Sequence, residues 1–326
     1  MQTIEVGTAR ADGPGRFDGA LKVAENPDGT PVEIPVTIVR GAKDGPVLWM
    51  HACVHGDEYC GTFNVQSFVR SLVPAEMSGA VVALPILNIT AFRAQHRMSP
   101  LEGFNNGDMN RCFPGNPNGG FTEQTAYVVY QNLKKHATHL VDFHTAYTRD
   151  TRWALYADHG GEVSRVGRLM AEAFGYPHTL PTPVGTLVGS SMMSAGGDGI
   201  PAYIIEAGGL GSSFDMEIVA DVTERLRNLA RAIGILEGAV TDYGPLTTFS
   251  NFHWANAPRG GLFRPSVKGG DMVKEGDVVG TYYNLHGDAS GEVTAPASGV
   301  VLAYHPGPII PQGDVLIHIG LNPQTA

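Results

Sequence analysis

The chain of 326 residues predicts a layered α/β fold with a largely buried sheet, followed by a small all-β domain. Three observations carry this. Between about residues 46 and 239, apolar runs of strand length alternate with segments whose apolar residues recur at helical spacing. Composition shifts at Thr241-Asp242-Tyr243-Gly244-Pro245, which reads as a linker. Beyond it come short strands broken by turns such as Lys274-Glu275-Gly276-Asp277 and Gln312-Gly313-Asp314. The expected division is a first domain over residues 1–242, with strands and turns over 1–35, and a second domain over 246–326.

Each element has its own signal. Asn26-Pro27-Asp28-Gly29 is a turn before the alternating run Val32 to Val39. Pro46 to Met50 is a buried strand, and Phe63, Val65, Phe68, Val69 and Leu72 mark the helix after it. Val81 to Leu87 reads as a second buried strand, and 122–136 as a helix capped by Thr122 with Glu123 in its first turn. Leu140 to Phe143 is a short strand, 161–174 a helix, Ala202 to Ile205 a strand and 214–239 a long helix. In the second domain, Gly269 to Gly280 and Ala295 to Val301 resemble a biotinyl/lipoyl-type sandwich. The hairpin between them, Asn284 to Ser290, lacks the lysine that a swinging-arm carrier would need.

Composition narrows the function. A net charge of −10 without a Lys/Arg cluster argues against a nucleic-acid partner and for a small-molecule one. No apolar stretch has the length of a membrane helix, and the N-terminus lacks the features of a signal peptide, so no membrane role and a cytoplasmic location are expected. Three cysteines, Cys53, Cys60 and Cys112, are too few for a disulfide framework; Cys53 and Cys60 read as packing residues. A homo-oligomer is plausible on general grounds alone.

The chemistry centres on Val54-His55-Gly56-Asp57-Glu58, where an imidazole and a carboxylate stand three residues apart at a strand exit. Such a pair is a metal half-site, although with twelve histidines roughly one accidental match is expected. A catalytic zinc takes three protein ligands and keeps an open position. His144, at the end of the strand Leu140 to Phe143, is the natural third; a lone histidine there would otherwise cap the strand. His51, His96, His136, His139 and His159 have no such partnership and read as surface or supporting residues.

Glu206 closes the strand Ala202 to Ile205, in an apolar setting that would raise its pKa and suit a general base. The alternative is a carboxylate that pairs with an arginine or caps the next turn. Between His96 and Phe121 runs a long irregular segment in which Phe104, Met109 and Phe113 alternate with Arg97, Asp108, Asn110 and Arg111. It reads as an ordered loop whose arginines capture a substrate carboxylate or stabilise an oxyanion, or else pair with aspartate to hold the loop shut.

Taken together, His55-Gly56-Asp57-Glu58, Asp108 to Gly115, Asp142-Phe143-His144-Thr145 and Glu206-Ala207-Gly208-Gly209 resemble the succinylglutamate desuccinylase/aspartoacylase family, which is related to the zinc carboxypeptidases. The likeness runs from about residue 36 to 240 and on into the β domain. It implies a mixed central sheet flanked by helices, as in zinc carboxypeptidases. It further implies one zinc per chain on His55, Glu58 and His144, with Glu206 as the general base. Asn110 and Arg111 would contact the substrate carboxylate, Asp108 would orient His55, and Arg97 would polarise the scissile carbonyl. Asn88-Ile89-Thr90-Ala91-Phe92 departs from the family pattern by lacking its proline, and the arginine that selects acidic side chains in aspartoacylase has no clear counterpart around Gly185 to Met193.

The function so implied is a zinc-dependent amidohydrolase that deacylates a small N-acyl amino acid or related amide through metal-activated water. Two alternatives are a metallocarboxypeptidase acting on short peptides and a non-catalytic binding protein of the same fold.

Overall fold

In a computed structural model, described over residues 3–102, 107–211 and 215–325, a hairpin of β1 (Ile4–Val6) and β2 (Ala9–Ala11) precedes two long strands, β3 (Gly15–Glu25) and β4 (Pro31–Arg40). Along β4, Val32, Ile34, Val36 and Ile38 alternate inward, and the Asn26 to Gly29 turn joins the strands. β5 (Lys43–Ala52) follows, with Leu48, Trp49 and Met50 buried on both faces. Next come α1 (Tyr59–Arg70) and β6 (Ser78–Leu84). Val65, Phe68 and Val69 face the core from α1, whereas Phe63 points outward.

Asn88 caps a short helix that sequence periodicity does not reveal, α2 (Ile89–Ala94), its side chain accepting from the Ala91 N–H at 3.3 Å. α3 (Phe121–His136) begins one turn position earlier than expected. Its cap is Gly120, whose N–H donates to Glu123 at 2.9 Å, and Thr122 lies buried inside the first turn. β7 (His139–His144) leads to β8 (Arg152–Asp158), which the sequence reading passed over although Trp153 to Ala157 is an apolar run. Then follow α4 (Gly161–Phe174), β9 (His178–Pro183), α5 (Ser191–Gly197), β10 (Ala202–Ala207) and α6 (Met216–Ala232). β9 was hidden by its two prolines. α6 stops seven residues short of the expected 239, because Gly234 takes a φ of +82° and Ile235 turns back to bond Ala230 at 2.8 Å. Phe104 and residue 214, the expected start of this helix, fall outside the described residues.

β11 (Thr247–Thr248) then extends the main sheet. Beyond it are β12 (Asn251–Asn256), β13 (Gly261–Pro265), β14 (Met272–Val273), β15 (Val278–Tyr283), β16 (Ala289–Thr294), β17 (Gly299–Tyr304), β18 (Ile309–Ile310) and β19 (Val315–Leu321). The last strand, β20 (Gln324–Thr325), returns to the main sheet beside β11. The order of that sheet is β20-β11-β9-β8-β10-β7-β5-β6-β4-β3. It is mixed, as expected: β6, β5, β7 and β10 run parallel, and β8 lies antiparallel to β10. The C-terminal strands form two four-stranded antiparallel sheets, β12-β19-β17-β14 and β16-β15-β13-β18. One of them packs on the main body, since Val300 and Leu302 join the apolar cluster that contains Trp153 and Leu155. Among the described residues no helix is long and apolar enough to cross a membrane.

Candidate functional site

The strand ends place the site. β5 leaves the sheet at Ala52, Cys53 turns the chain with a φ of 52°, and His55 to Glu58 form the loop that leads into α1. Gly56 is required by proximity: a Cβ there would stand 2.2 Å from the Ala91 carbonyl carbon and 2.3 Å from the Phe92 nitrogen, at the start of α2. His144 ends the neighbouring β7, and β10 sets Glu206 in direct register with it. His55, Glu58 and His144 are all buried, with potential ligand atoms within 4.8 Å of one another.

Their hydrogen bonds give the geometry. The Glu58 carboxylate meets His55 Nδ1 at 2.7 Å through one oxygen and His144 Nδ1 at 3.0 Å through the other. Each imidazole turns its Nε2 to a second carboxylate, His55 to Asp108 at 3.0 Å and His144 to Asp142 at 3.2 Å. Two imidazole nitrogens and a carboxylate converging on one point, each imidazole braced behind by an acid, is a donor set that fits zinc. Burial opposes charge on Glu58, but the two imidazoles outweigh it and hold its carboxyl well below the usual range. Burial likewise opposes charge on His144, yet Asp142 and Glu58 hold it well above its ordinary value.

Glu206 has a different environment. Burial pushes its carboxyl up to about 7, against the pull of His144, and its Oε2 has no hydrogen-bond partner among the described residues. The Arg97 guanidinium, 43% exposed, reaches Glu58 at 3.4 Å and Asp108 at 3.5 Å. Asn110 is buried, its N–H donating to Asp108 at 3.0 Å while its Oδ1 is unpartnered among the described residues; Arg111 is exposed and donates to the Asn110 carbonyl at 2.8 Å.

All eight residues singled out in the sequence thus come together, and all but Asp108 line one cavity of about 440 Å³. A larger cleft of about 520 Å³, between α4 and residues 240–246, has no histidine and no cluster able to hold a metal among the described residues. Cys53 and Cys60 are buried packing residues, and burial pushes their thiols up to about 12 and about 11. Met109 and Phe113 are buried and order the loop, Phe113 stacking on His51 with ring centroids 6.4 Å apart.

The sequence reading missed several contributors. Asp142 stands two residues before His144 on one strand, a spacing that puts both side chains on the same face and is the local signal of its role. His51 is fully buried, with Nε2 3.2 Å from Asp142. Trp153, Tyr147 and, from the C-terminal sheets, Phe252, Trp254, Asp314 and His318 also line the cavity. No local pattern marks the last four, because only docking of the two parts brings them there.

Comparison with known proteins adds to this geometry. Residues 44–233 match the model of the succinylglutamate desuccinylase/aspartoacylase catalytic domain. The chain is 28% identical over 285 residues to the N-alpha-acetyl-L-2,4-diaminobutyric acid deacetylase of Halomonas elongata, covering 83% of this chain and 81% of that protein. Among solved structures, the product-bound ectoine utilization protein EutE (DoeB) of Ruegeria pomeroyi aligns with a TM-score of 0.82 at 26% identity, over 95% of this chain and 97% of that one. A succinylglutamate desuccinylase/aspartoacylase from Rhodobacter sphaeroides aligns with a TM-score of 0.80 at 25% identity, over 97% of each chain.

Proposed function

Because the chain belongs to the succinylglutamate desuccinylase/aspartoacylase family, we propose that it is a zinc-dependent amidohydrolase that removes the acyl group from a small N-acyl amino acid. The observation that carries this reading is the convergence of His55, Glu58 and His144 on one buried point, with Glu206 in register beside them. His55, Glu58 and His144 would hold the metal, which when bound would supply Lewis-acid polarisation and lower the pKa of water.

The protein's own groups account for the rest. Glu206, with a raised pKa and an oxygen unpartnered among the described residues, takes the proton of the attacking water and returns it to the departing amine. Arg97 supplies positive charge where the carbonyl oxygen becomes an oxyanion. Asn110 and Arg111 anchor the substrate carboxylate from the loop that also carries Asp108. Asp108 and Asp142 fix the two imidazoles, so that both Nδ1 atoms face Glu58.

The similarity to a deacetylase of an N-acetylated diamino acid supports this substrate class. A peptide-trimming activity is disfavoured because the cavity is walled by Phe252, Trp254 and Asp314 of the C-terminal sheets as well as by the catalytic strands. The test is release of primary amine from a panel of N-acetyl, N-succinyl and longer N-acyl amino acids, with and without a chelator. Chelator-sensitive release is expected; trimming of tripeptides in its place would overturn the reading.

A further inference from the structure

Glu206 has a second neighbour besides His144. On its other side, across the antiparallel β10–β8 pair, its register partner is Trp153. Directly opposed residues project from the same face of a sheet, so Trp153 stands beside the proposed base within the cavity. The C-terminal sheets complete an aromatic wall there. His318 packs edge-on against Trp153 with centroids 5.1 Å apart, and Phe252 lies 4.9 Å from His318 and 6.3 Å from Trp153. Trp254 stacks on Phe252 at 5.4 Å and remains 45% exposed at the rim.

Two polar atoms in this wall stand out. Trp153 is 3% exposed and His318 6%, yet Trp153 Nε1 and His318 Nε2 are both buried without a hydrogen-bond partner among the described residues. Neither atom has surface open to the cavity, so the wall meets a ligand through its rings. Burial also pushes the His318 imidazole down to about 3, so it is a neutral ring at ordinary pH. The wall is therefore apolar and uncharged. The cavity, at about 440 Å³, also has the size of pockets that take ligands well beyond an acetylated two- or three-carbon amino acid.

We propose that Trp153, Phe252, Trp254 and His318 form a specificity subsite beside Glu206, which takes an uncharged, ring-sized substituent of the substrate, as in an N-acyl tyrosine. This rests on the deacylase reading and gives it a substrate class. The C-terminal sheets then select the substrate, while the central sheet carries the chemistry.

Binding and turnover test the two claims separately. Calorimetry on the Glu206→Gln protein compares N-acetyltyrosine, N-acetylalanine and N-acetyl-2,4-diaminobutyrate. N-acetyltyrosine should bind at least about tenfold more tightly than N-acetylalanine, the effect expected from burying a ring. Adding Trp254→Ala should erase most of that advantage. Equal binding of the tyrosine and alanine compounds, tighter binding of the diaminobutyrate, or indifference to Trp254→Ala would each overturn the subsite. Turnover by the unmodified protein reports on the other claim. Hydrolysis without aryl preference removes the subsite and keeps the deacylase; selective aryl binding without hydrolysis of any N-acyl amino acid does the reverse.

Discussion

Glu206 and His144 are register partners on the parallel strands β10 and β7, which sets the proposed base and a proposed metal ligand side by side on one face of the sheet. The backbone ladder fixes their separation, so neither side chain depends on a flexible loop for its place. A group held in this way is preorganised for proton transfer.

Replacing Glu206 by Ala should leave metal binding intact and lower kcat by roughly a hundred- to ten-thousand-fold, the usual contribution of a general base. Metal content by elemental analysis and turnover of the preferred N-acyl amino acid would check this. Near-normal turnover would remove Glu206 from the mechanism.

Asp142 is expected to act through His144. It holds Nε2 at 3.2 Å and accepts from the Ser191 hydroxyl at 2.6 Å. Asp142→Asn should weaken zinc affinity by about 10- to 100-fold, as loss of such a supporting acid typically does. Competition with a chromophoric chelator would measure it, with circular dichroism verifying the fold.

Gly56→Ala should disturb the ligand loop, because the added methyl meets backbone atoms of Ala91 and Phe92. A cost of about 1–3 kcal/mol is the usual range for such overpacking. Denaturant unfolding should show it, accompanied by weaker zinc binding as His55 and Glu58 shift. An unchanged midpoint and affinity would mean that α2 moves aside freely.

His318 makes stability depend on pH. Burial lowers its folded pKa to about 3, below the ordinary value of about 6.5 in the unfolded chain. Between these values the unfolded state binds the proton and the native state does not, so this contribution is full above about pH 6.5 and is lost as the pH falls toward 3. His318→Phe keeps an aromatic ring and removes the titration. The difference in thermal midpoint between the two proteins should therefore shift in favour of the variant from pH 7 to pH 4; a constant difference would contradict the assignment.

Much of the site was legible because its parts lie in short local patterns. A strand exit carrying His55 and Glu58, a strand ending in His144 and another ending in Glu206 are visible as apolar runs that stop at a polar group. The loop residues Arg97, Asp108, Asn110 and Arg111 were legible as a polar series interleaved with Met109 and Phe113, which are buried. The elements misread were those whose signal is tertiary. Strand β9 contains prolines tolerated by its pairing, and α6 ends at a glycine turn inside a run of apolar residues that remain buried.

The sequence by itself determined the alternation of strands and helices, the later short strands, and the identities of the groups proposed to bind metal and move protons, because periodicity and side-chain chemistry are local properties. Tertiary structure alone decided which strands became neighbours. Strand order across the sheet put Glu206 between His144 and Trp153, and docking of the C-terminal sheets brought Phe252, Trp254 and His318 to the same cavity. These choices follow from burying apolar faces contributed by segments far apart in the chain, a non-local balance of free energy that no short stretch of chain records.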